Sequence, residues 1–118
     1  MPSSLSADRA AIALSLSCIA HCVALPVIAI SLPFVAAAAE AEWLHWVLTA
    51  LAIAASGTVI LTARNARAPA FLVPALLGMG LITSALLAET FGLDETLPTV
   101  IGGVLLAAAH IYRLFRLR

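Results

Sequence analysis

The 118-residue chain is 64% hydrophobic and only 10% charged, with a mean hydropathy of +1.13. Soluble domains carry roughly 25% charged residues, so composition excludes an ordinary soluble fold, and six arginines with no lysine, balanced by six acids, leave no basic face to track a nucleic-acid backbone. Two cysteines four residues apart are too few and too close for a disulfide framework. An integral membrane protein remains, read as one domain over residues 1–118.

The apolar segments predict an all-α membrane bundle of four transmembrane helices, antiparallel and up-down. A crossing needs about 20 apolar residues for a hydrocarbon core of about 30 Å. The first segment runs from Ala10 to Ala39 and exceeds one straight span, so a helix over about 10–36 is expected to tilt, kink or extend into the cytoplasm. Its Ala37-Ala38-Ala39 run ahead of acidic residues has the look of a signal cleavage site. Signal h-regions are only about 7–15 residues long, however, and this run is about twice that. Ser15-Leu16-Ser17-Cys18 resembles a lipoprotein acylation site, with serine where an aliphatic residue is expected; neither processing reading is favoured. Helices over about 43–63, 70–88 and 97–115 follow, the last reaching full length through Leu114 and Phe115 while its arginines snorkel to the interface.

The charges set the orientation. Arg9 precedes the first span, Arg64 and Arg67 join the second to the third, and Arg113, Arg116 and Arg118 end the chain. Glu40, Glu42, Glu89, Asp94 and Glu95 fall in the two loops on the other side, and Asp8 is the one acid with the arginines. The positive-inside rule then places both termini of this multi-pass protein in the cytoplasm. The loops are short, so successive helices are expected to be antiparallel neighbours. Trp43 and Trp46 are expected at the outer interface, and Gly57, Gly78, Gly80, Gly102 and Gly103 at close helix contacts.

Ser17-Cys18-Ile19-Ala20-His21-Cys22-Val23-Ala24-Leu25-Pro26 is the chemically distinctive stretch. Helical residues three and four apart share a face, with Cβ atoms about 5–6 Å apart, so Cys18, His21 and Cys22 point into one sector. A disulfide wants Cβ atoms about 3.5–4.5 Å apart, which an intrahelical Cys18–Cys22 pair lacks. Two thiols and an imidazole suit a soft or borderline ion such as Hg(II), Cu(I), Cd(II) or Zn(II). A lone buried cysteine is ordinarily structural; the pair with an interposed histidine is more specific. Pro26 has no N–H, so it releases the Cys22 carbonyl beside the thiols and is expected to kink the helix there; Pro33 does the same for Ala29. Counting from Arg9 puts Cys18 roughly 13 Å in and Cys22 close to the bilayer centre. His45 and His110 read as secondary ligands: a ladder of His45, His21 with Cys22, Cys18, and His110 from outside to inside. Nothing resembles a nucleotide motif, so coupling to ATP is not expected, and neither is enzyme activity or a permanently bound cofactor.

Cys18-x-x-His21-Cys22 with Pro26, followed by Glu42-x-x-His45, resembles the MerC family of small bacterial inner-membrane mercuric-ion transporters. The Glu95-Thr96-Leu97-Pro98-Thr99-Val100-Ile101-Gly102 run, Ala109-His110 and the terminal arginines are similar to that family as well. The resemblance implies that Cys18 and Cys22 are ion-accepting thiols and that the cargo is Hg(II), with Zn(II) or another soft cation as the alternative. Better-studied members carry a further C-terminal cysteine pair, whereas this chain has no cysteine after Cys22. The expected mechanism is passive or relayed transfer as a neutral dithiolate, with His21 as third ligand or base and with proton release on binding. The partners are then the metal ion and the bilayer, with a homo-oligomer or a periplasmic or cytoplasmic metal-handling protein compatible with so small a bundle. Three other readings use the same residues: a metal sensor or binding subunit without transport, a membrane thiol oxidoreductase, and a b-type haem protein.

Overall fold

The computed structural model describes residues 3–30 and 42–116, which form α1 (Ser4–Ala29), α2 (Glu42–Thr62), a 3-10 turn (Arg64–Arg67), α3 (Pro69–Thr90) and α4 (Thr96–Arg116). Ala37–Ala39, Pro33 and Glu40 lie outside the described residues. The described residues contain no strand, and each of the four helices is long and apolar enough to cross a membrane. The chain is therefore a multi-pass membrane protein, with four candidate spans among the described residues.

Local chemistry sets the helix ends. Ser3 caps α1 by accepting the Ser6 N–H at 3.3 Å, and Pro69 occupies the first turn of α3, where its missing N–H is not needed. Asp94 Oδ1 accepts the Thr96 N–H at 2.8 Å and starts α4; this bond holds the Asp94 carboxyl below its usual range. After α3 the chain reverses through Gly92 at φ +69°, with Leu93 N–H donating to Ala88 O and Gly92 N–H to Glu89 O at 2.8 and 2.9 Å. This is the paired hydrogen-bond pattern of a left-handed helix cap. An L side chain at such a position costs about 1–2 kcal/mol, so Gly92→Ala is expected to lower unfolding stability in micelles by about that amount.

The first helix starts at Ser4, six residues earlier than the charges indicate. The reason is Asp8, which is fully buried and neutralised by neighbours on α4, so it does not end the helix. Packing also departs from simple neighbour order. The α3–α4 and α1–α2 pairs are extensive, as their loops require, but α1 packs on α4 far more than α2 packs on α3. Helix α4 is thus the shared partner of α1 and α3.

Of the five candidate contact glycines, three lie at contacts. A Cβ on Gly78 or Gly102 would sit 2.8 Å from the other's carbonyl oxygen, and one on Gly103 would meet Ile19 Cγ1 at 2.9 Å. Gly57 and Gly80 have nothing within 4 Å. Phe71, Ile82 and Leu106 fill the apolar core beside this contact. Large aliphatic side chains such as Val27, Leu51, Leu61, Leu77 and Ile101 point outward. Trp43 and Trp46 are exposed at the acidic end, where Trp46 Nε1–H donates to Glu42 Oε1 at 3.4 Å.

Candidate metal centre

A set of polar groups lies inside the bundle. Asp8, Ser15, Cys18 and His21 are buried on α1, His45, Thr49 and Ser56 on α2, and Thr99, His110 and Arg113 on α4. Offsets of seven, ten and fourteen residues from Asp8 to Ser15, Cys18 and Cys22 put these side chains on one helix face. Water does not solvate such groups in lipid, so each must find a protein partner or a ligand.

At the acidic end three helices meet around His45, which is 1% exposed. Its Nδ1–H donates to Glu95 Oε2 at 2.9 Å, and Glu89 Oε2 lies 3.4 Å from the same nitrogen. The Thr99 hydroxyl reaches Nε2 at 3.4 Å. The two acids are aimed there by the ends of their helices: Glu89 lies in the last turn of α3, just before the Gly92 reversal, and Glu95 directly precedes α4. Burial pushes the Glu95 carboxyl above its usual range. Cys22 lies beside Thr99, and one ligand atom each from Cys22, His45 and Glu95 lie within 4.8 Å of one another. The His21 ring stands 6.2 Å from that of His45, centroid to centroid, and its buried Nδ1 has no hydrogen-bond partner. Cys18 is buried one turn deeper, beside Thr49. Both thiols are free.

The sequence-derived site residues thus fall into two groups. Cys18, His21, Cys22 and His45 lie along one seam, with Cys22 against a first-turn residue of α2 and a residue preceding α4. Cys22 is therefore near the acidic end of the bundle and not at its middle, because α1 starts earlier than Arg9 indicates. His110 is at the opposite end, where its Nδ1–H donates to Asp8 Oδ1 at 2.6 Å, the Ser56 hydroxyl donates to Nε2 at 3.1 Å, and Phe71 packs edge-on. Arg113 completes that second group through its ion pair with Asp8, with Nη1–H donating to Asn65 Oδ1 at 2.7 Å. His110 thus sits at the arginine end of the bundle, hydrogen-bonded to Asp8 and Ser56 and beside the Arg113 guanidinium, away from the thiols. The α1 backbone is helical through position 26, and with no N–H there the Cys22 carbonyl cannot receive its usual helical bond.

Glu89, Glu95, Thr49, Thr99 and Asp8 are not identified as site residues by sequence reasoning. Glu95 and Thr99, four apart at the start of a helix, carried a usable signal, since that spacing shares a face with the neighbouring span. Asp8 carried another, as the lone acid among the arginines.

These features define a membrane protein with thiols and imidazoles along its interior and a cluster of acids at one end. The family model described as MerC mercury resistance protein matches residues 8–115. The chain belongs to the MerC family, a family of membrane transport and mercury-resistance proteins. No curated protein and no solved structure matches the chain.

Proposed function

We propose that this protein carries mercuric ion across the bacterial inner membrane, with Cys18 and Cys22 as the accepting thiols and His21 as third ligand or base. The observation that supports this most is the placement of both thiols and two imidazoles on one interior seam of a bundle whose outer surface is apolar. Positive-inside orientation puts the arginine end in the cytoplasm and the acidic end outside. An ion arriving from outside then meets Glu95, His45 and Cys22 before Cys18.

The chemistry favours thiol exchange over free-ion passage. A bare dication in hydrocarbon is prohibitively costly, whereas two thiolates with one Hg(II) form a neutral complex. Binding two thiols releases two protons, and no energy source beyond the gradient is required. His21 accepts a proton or a coordination bond through its unpartnered nitrogen.

Cells expressing the protein should take up mercuric ion faster than cells lacking it. Cys22→Ser and the double variant Cys18→Ser with Cys22→Ser should bring uptake to the background rate at equal membrane expression. Uptake by the double variant equal to that of the unaltered protein would end this reading.

A further inference from the structure

The geometry points to a second coordination site for a borderline divalent cation of the zinc type, built by Cys22 on α1, His45 on α2 and Glu95 just ahead of α4. It rests on the reading of Cys22 as a metal ligand and deepens it, by adding a donor set different in kind from the two thiols of α1.

The three donor atoms lie within 4.8 Å of one another. A tetrahedral ion with bonds of about 2.0–2.3 Å spaces its ligand atoms roughly 3.3–3.8 Å apart, so closure needs only side-chain adjustment. The donors are one sulfur, one nitrogen and one oxygen. That mixture matches Zn(II), which accepts Cys, His and carboxylate together, better than an ion that seeks thiolates alone. Charge agrees as well: a thiolate and the Glu95 carboxylate neutralise a dication, which a low-dielectric site demands.

Two further observations concern buried atoms that take no hydrogen bond. Glu89 Oε2 is buried with no hydrogen-bond partner and lies 3.4 Å from His45 Nδ1. His21, 8% exposed, likewise has an unpartnered Nδ1, and its ring centre lies 6.2 Å from that of His45. Buried polar atoms without partners are costly unless a ligand satisfies them. Glu89 is therefore placed to supply the fourth position or to orient His45, as the outer carboxylates of metal sites do. Cys18, one turn deeper beside Thr49, is not part of this set.

The test is Zn(II) titration of the purified, chelator-stripped protein in detergent against a chromophoric competitor. Cd(II) serves as a second probe, because its thiolate charge-transfer absorption reports sulfur ligation. One Zn(II) per chain is expected, unchanged within about threefold in Cys18→Ser. Glu95→Gln and His45→Gln should each weaken binding by about tenfold or more, the loss expected at or next to a metal's ligands, and Cys22→Ser should abolish the Cd(II) band. Glu95→Gln keeps the side-chain shape, and far-ultraviolet dichroism verifies that the helices persist. Absence of saturable binding, or binding that survives both the Glu95 and His45 changes, overturns the site. So does binding lost in Cys18→Ser, which would assign the ion to the α1 thiols. The mercuric reading fails separately, by uptake that survives loss of both cysteines.

Discussion

Asp8→Ala should destabilise the bundle by about 3 kcal/mol, the low end of the range for breaking a buried ion pair. Asp8 is fully buried, accepts from His110 Nδ1–H at 2.6 Å and from Arg113 Nε–H at 3.1 Å, and pairs with a second Arg113 nitrogen. Arg113 also donates from Nη2 to the Ser4 carbonyl at 3.2 Å, so one guanidinium ties α4 to the start of α1 and to the turn after α2. Removing the carboxylate leaves that charge inside the protein without its counter-ion. The low end applies because Arg113 lies one turn from the end of α4, where its long side chain has a route to the interface. Denaturant titration in micelles measures the loss. Replacing both partners, Asp8→Asn with Arg113→Met, should recover most of it, since the isolated charge is then gone. A stability within 1 kcal/mol of the unaltered protein for Asp8→Ala alone would refute the account.

Asp8 also marks the boundary of what the sequence discloses. Hydropathy and arginine spacing give four helices, because span length and loop charge are local properties of the chain. The face shared by Cys18, His21 and Cys22 is likewise local, following from three- and four-residue spacing on one helix. What sets Asp8 apart is a partner 105 residues away, Arg113, and no local rule connects them. The same holds for Glu95, which meets His45 across a separation of 50 residues. In the chain Glu89 and Glu95 read as loop charges that report topology; in the fold the Gly92 reversal turns both back onto α2. His110 likewise takes its partners from afar: its ring nitrogens meet Asp8 and Ser56, 102 and 54 residues away. Glycine positions divide on the same ground, since only the crossing of two helices decides which glycines another backbone approaches.

That division gives the second large effect, and it appears as a difference of sign. Alanine in place of glycine ordinarily stabilises a helix interior by roughly 0.5–1 kcal/mol. Gly80 faces open space, so Gly80→Ala should raise stability by about that amount. At Gly102 the added carbon would lie 2.8 Å from Gly78 O, 2.9 Å from Ile82 Cγ2 and 2.9 Å from Leu81 Cβ. The carbonyl belongs to a helix backbone and cannot rotate aside, so α3 and α4 must separate. Overfilling a packed contact costs about 1–3 kcal/mol, which exceeds the helix-propensity gain, and Gly102→Val should lie at the upper end of that range. Separation also displaces Glu95, which directly precedes α4, relative to His45 and Cys22. Gly102→Val should therefore lose mercuric-ion uptake along with stability, while Gly80→Ala keeps full uptake. If Gly102→Ala proves as stable as Gly80→Ala in micelles, the close approach of α3 and α4 does not hold this end of the bundle together.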